Sequence, residues 1–145
     1  LAALNRINNL NAKSAAVLKS KLLDYPTAVK ERLLVLLYQS NEDLRQELLY
    51  KTSSIKGRGR HTFRILWLVL SMNTETNPEK QQALYQELIN YSSADYHPEV
   101  RQLAFEYLFY MNLVNEKIKS NLKAASSHYN WRFKSFAKKK LSELE

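Results

Sequence analysis

Val100-Arg101-Gln102-Leu103-Ala104-Phe105-Glu106-Tyr107-Leu108 aligns without a gap on Phe133-Lys134-Ser135-Phe136-Ala137-Lys138-Lys139-Lys140-Leu141. Each stretch opens with a bulky apolar residue followed by a basic one, and apolar residues recur near offsets +3, +4 and +8, the spacing of one face of an α-helix. Ala104 and Ala137 hold the same place, where a small side chain lets a partner helix approach closely, and the basic residue is expected off the apolar face. Two more degenerate copies begin at Val29-Lys30 and Phe63-Arg64. Trp67 and Ser71 take the small and last apolar positions in the second of these, and Leu33 and Leu37 take them in the first. The four copies start about 33 to 37 residues apart, one helical hairpin each, which is the mark of a stacked α-helical repeat.

The rest of the chain agrees with a helical reading. Glycine occurs only at Gly57 and Gly59, and Pro26, Pro78 and Pro98 each stand where a helix can start. The expected fold is all-α, with about eight helices near 12–24, 27–39, 41–54, 61–72, 78–90, 98–111, 115–126 and 131–144, paired as antiparallel hairpins and stacked as an α-α superhelix. Asn77, His97, Asn115, Asn130 and Ser40 with Asp43 are the expected caps, supplying acceptors to first-turn amides. Residues 1–145 are expected to form a single helical-repeat domain, which at this length buries roughly 70% of the surface of its unfolded chain. A start at Leu1 without methionine suggests an excised C-terminal fragment, and Leu144-Glu145 reads as a cloning remnant or a natural end.

Several chemistries lack a starting point. Without cysteine there is no disulfide framework, thiolate zinc site or cysteine nucleophile. His61, His97 and His128 are scattered, and none forms a His-Glu-x-x-His pair. Glu42, Asp43 and Glu47, beside Arg45 and Lys51, read as a solvated helix face. No catalytic, metal or cofactor residue is therefore expected in this segment. The longest apolar run, Ile65 to Leu70, falls far short of the roughly 20 residues that cross a bilayer.

Charge supplies the candidate contacts. The net charge is +8, and the last hairpin carries much of it through Lys117, Lys119, Lys123, Arg132, Lys134, Lys138, Lys139 and Lys140. Such an end can meet nucleic acid, an acidic partner or an anionic lipid face, or simply keep a terminal repeat solvated. Lysine dominates it, which suits specific phosphate or base recognition less well than arginine would. A second basic element, Lys56-Gly57-Arg58-Gly59-Arg60-His61, can wrap an anion with its backbone or serve as a plain helix connection. Lys56, Arg58, Arg60, His61, Arg101, Lys134, Lys138 and Lys139 are the candidate anion or partner contacts. The aromatic residues Tyr107, Phe109, Tyr110, Tyr129, Trp131, Phe133 and Phe136 can stack bases or, as helical spacing favours, pack as core and hairpin interface.

His97-Pro98-Glu99-Val100-Arg101-Gln102-Leu103-Ala104 resembles the Asp/Asn-Pro-x-Val-Arg-x-x-Ala motif of HEAT repeats, echoed by Asn41-Glu42-Asp43-Leu44-Arg45-Gln46-Glu47-Leu48. The run of hairpins ending in Asn130-Trp131-Arg132-Phe133-Lys134-Ser135-Phe136-Ala137 resembles the C-terminal HEAT-like helical domain of zinc aminopeptidases of the aminopeptidase N type, over residues 12–143. That resemblance implies a catalytic domain with its zinc site upstream, no zinc ligand in this segment, and a helical domain that packs on the upstream domains and shapes peptide access. The alternatives are a basic helical-repeat module that binds nucleic acid and a protein–protein adaptor.

Overall fold

The computed structural model describes residues 27–40 and 42–144, and among them every regular element is helical. Seven α-helices follow one another: α1 (Thr27–Ser40), α2 (Arg45–Thr52), α3 (His61–Thr74), α4 (Pro78–Tyr91), α5 (Pro98–Tyr110), α6 (Glu116–Ala125) and α7 (Trp131–Glu143). The helix expected at 12–24 lies outside the described residues, as do Pro26 and Asn41. Backbone contacts divide the chain into two compact units, one ending at Thr74 and the other beginning at Glu75.

In the first unit α1 packs on α2 and α3, and α2 packs on α3. Leu33, Leu34 and Leu37 of α1 meet Leu48 and Leu49 of α2 and Phe63 and Leu70 of α3, and Ile55 seals the link between α2 and α3. Each fully buried leucine of this kind stabilises the fold by about 2 kcal/mol relative to an exposed one. Polar groups at the edge of the cluster are paired. Trp67 Nε1 donates to the Leu49 carbonyl at 2.8 Å, and Tyr38 Oη bonds Thr74 Oγ1 at 2.6 Å, so neither amphipathic ring strands its polar atom.

The start of α2 differs from expectation. The chain makes a 3-10 turn over Glu42–Leu44 before the α-helix, and Leu44 holds the cap position of α2 without a side-chain bond; the Ser40 side chain lies outside the described residues. Arg45 ties the junction instead: its Nε donates to the Tyr38 carbonyl at 2.6 Å, and its guanidinium lies 4.5 Å from the Tyr38 ring centre.

In the second unit α4 packs on α5, α6 on α7, and α5 on α7. The four caps read from sequence are present. Asn77 accepts from the amides of Glu79 and Lys80, His97 from Glu99, Asn115 from Ile118 and Asn130 from Phe133, each from an extended backbone before the first helical turn. Helix α5 ends where Asn112 adopts a left-handed φ of 56°, and the Leu113 amide reaches back to the Leu108 carbonyl at 2.9 Å. Ala104 and Ala137 are fully buried, and around them Phe105, Phe133 and Phe136 form a cluster with centroids 6.3 to 6.4 Å apart. Three aromatic residues expected in the core or hairpin interface lie outside it: Tyr110 is 85%, Tyr129 92% and Trp131 68% exposed.

Candidate functional site

In the aligned stretches that begin at Phe63 and Val100 the basic residue does not sit off the apolar face. Arg64 and Arg101 are both buried. Arg101, in the first turns of α5, donates from Nε to the Ser92 carbonyl at 3.0 Å and from Nη2 to the Asn121 carbonyl at 3.4 Å, and lies 4.9 Å from the Phe133 ring centre. Asn121 in turn donates to Ser92 Oγ at 2.9 Å, and Ser92 Oγ donates to the Ile89 carbonyl at 2.6 Å. Burial lowers the pKa of the Arg101 guanidinium from its usual value. Arg64 makes the corresponding bond in the first unit, donating from Nη1 to the Ser53 carbonyl at 2.9 Å with its guanidinium 4.1 Å from the Trp67 ring centre.

Ser53 and Ser92 are the C-cap residues of α2 and α4. The final carbonyls of a helix have no partner within it and carry the negative end of its dipole, so a guanidinium arriving from the next helix satisfies both the hydrogen-bonding and the electrostatic demand. Arg101 therefore stands apart from the other candidate contacts: its donors face main-chain carbonyls inside the unit rather than a surface open to a ligand. Lys134, at the same place of the fourth copy, is half-buried.

The loop before α3 places Lys56, Arg58 and Arg60 in solvent, with His61 half-buried at the helix start. Gly57 and Gly59 adopt φ values of 101° and 81°, and the Arg60 amide closes a turn on the Gly57 carbonyl at 2.9 Å. Open space surrounds the position of a Cβ at either glycine, so the backbone's left-handed conformation, rather than a close approach, accounts for both.

The last hairpin gathers the remaining candidates. Lys138 and Lys139 are exposed on α7, on the face that also carries Trp131 and Arg132. Lys119 is paired with Glu116 at 3.1 Å and Lys140 with Glu143 at 3.3 Å. His128 is half-buried: its Nδ1 accepts from the Asn130 amide at 3.0 Å and its ring meets Phe133 edge-on at 5.2 Å. Among the described residues no three His, Asp or Glu side chains gather as a metal cluster, and no helix is long and apolar enough to cross a membrane.

Sequence reasoning passed over Ser92 and Asn121. A recurring signal was available, since a serine stands shortly before each buried arginine, Ser53 before Arg64 and Ser92 before Arg101. No family model, curated protein or solved structure matches this chain.

Proposed function

We propose that the chain is a non-catalytic helical-repeat domain whose hairpins are HEAT-like units, and that it acts by presenting a shaped surface to other parts of a larger protein. The observation that carries this reading is the correspondence of Arg64 and Arg101, each of which donates to the carbonyl of the serine that ends the preceding helix, Ser53 of α2 and Ser92 of α4. One structural device used twice at corresponding places is what a repeated hairpin requires. In its specific form, resting on the resemblance, the parent is a zinc aminopeptidase, the domain packs on its catalytic part and shapes peptide access, and zinc is held by that catalytic part and by no residue of this chain.

The test is the sequence of the full polypeptide in which this segment occurs, read from the native protein. A His-Glu-x-x-His helix upstream supports the peptidase form. A nuclease or helicase region in its place overturns that form, and catalysis by the isolated segment overturns the scaffold reading altogether.

A further inference from the structure

Two large rings are held out in solvent at the closed end of the α6–α7 hairpin. Tyr129 is 92% and Trp131 68% exposed. Their positions are built rather than loose. Asn130, between them, donates its amide to His128 Nδ1 at 3.0 Å and accepts from the Phe133 amide at 3.1 Å. The His128 ring stacks on Tyr129 with centroids 4.4 Å apart and rests edge-on against buried Phe133, so the aromatic step is braced against the core of the second unit. Arg132 lies over the Trp131 ring at 5.7 Å.

The same face of α7 continues as cation. Residues seven apart on a helix return to nearly the same side, so Lys138 and Lys139 follow Trp131 and Arg132 about 10 Å further along the axis. Arg132, Lys138 and Lys139 are exposed, with no ion pair among the described residues. Between the aromatic step and the lysines stands Ser135, also exposed, so the stripe has no aliphatic side chain to enter a lipid acyl layer.

From these observations we infer that this hairpin face binds single-stranded nucleic acid without sequence preference: Tyr129 and Trp131 supply faces on which bases stack, and Arg132, Lys138 and Lys139 follow the phosphate backbone. An acidic protein surface would also satisfy the three cations, and polyglutamate in the experiment below separates it from a single strand, whose unpaired bases present faces to both rings. A duplex hides its base faces and leaves the rings nothing to stack on. Lysine-rich contact suits backbone binding, which needs charge and not the guanidinium fork that reads bases. The inference goes beyond the scaffold proposal and holds for any parent protein.

The experiment is fluorescence anisotropy of a labelled oligo-deoxythymidine titrated with the full chain at low and moderate salt. Three backbone contacts predict a slope of log K against log salt of about −2. Trp131→Ala is expected to weaken binding about 5-fold or more with the slope unchanged, since it removes a stacking face and no charge. Lys138→Glu with Lys139→Glu is expected to weaken binding and flatten the slope. Both sites are exposed, so far-ultraviolet circular dichroism of the variants should match that of the parent chain. Absence of binding at low salt, equal affinity for duplex, indifference to Trp131→Ala, or preference for polyglutamate or anionic vesicles would each overturn the inference.

Discussion

Arg101 in α5 donates from Nε to the carbonyl oxygen of Ser92, 3.0 Å away at the end of α4, and the bond converts a residue read as a surface cation into part of the core. Its removal should be costly because the carbonyls of Ser92 and Asn121 would lose a buried charged donor. Arg101→Ala is expected to lower stability by about 3 kcal/mol, and Arg101→Lys to recover less than half of that, since an ammonium lacks the planar fork. Urea unfolding at neutral pH measures both. A loss comparable with that of a surface substitution would count against the assignment.

Close helix approach at Ala104 and Ala137 makes a second prediction. Both residues are fully buried against the Phe105, Phe133 and Phe136 cluster, so enlarging either forces the rings off their rotamers. Ala137→Leu should cost about 2 kcal/mol, whereas Lys139→Ala on the exposed face should stay within about 0.5 kcal/mol. Thermal melts of the two variants side by side decide it.

Ser71 offers a change in the opposite direction. Its Oγ is buried and has no hydrogen-bond partner among the described residues, at a position where the three aligned stretches of sequence carry Leu37, Leu108 and Leu141. Ser71→Ala removes an unpaired hydroxyl and is expected to raise stability by up to about 1 kcal/mol, seen as a higher urea midpoint. A fall in the midpoint would mean that the hydroxyl is bonded in the folded protein.

Alkaline pH should weaken the second unit through Tyr85, which donates its hydroxyl to the Leu113 carbonyl and whose pKa burial raises above the ordinary value. The folded state thus holds the phenolic proton more tightly than the unfolded chain. The contribution is whole below the unfolded value near about 10 and is lost as pH rises through the higher folded one. Between about pH 9 and about pH 11 the urea midpoint of Tyr85→Phe should fall less than that of the parent chain. An equal fall in both would remove Tyr85 from the account.

Helix positions and four of the caps were legible because Asn77-Pro78, His97-Pro98, Asn115 and Asn130 act within one turn of sequence, where side-chain acceptors and first-turn amides are neighbours by necessity. The buried arginines were not. A helical pattern counts Arg64 and Arg101 as polar, and only the arrival of a preceding helix end gives their guanidinium groups carbonyls to bond. Tyr129 and Trp131 failed for a related reason. Aromatic residues are expected to seek the core, and local capping by Asn130 with the brace of His128 holds these two outside it.

The most direct measurement of the central claim, that Arg101 is an internal closure and not a partner contact, is hydrogen exchange of the arginine side-chain Nε–H groups by nuclear magnetic resonance. The account predicts that the Arg101 signal is strongly protected while those of Arg58 and Arg132, both exposed, exchange at the rate of free arginine. An Arg101 signal that exchanges as fast as those two would contradict it.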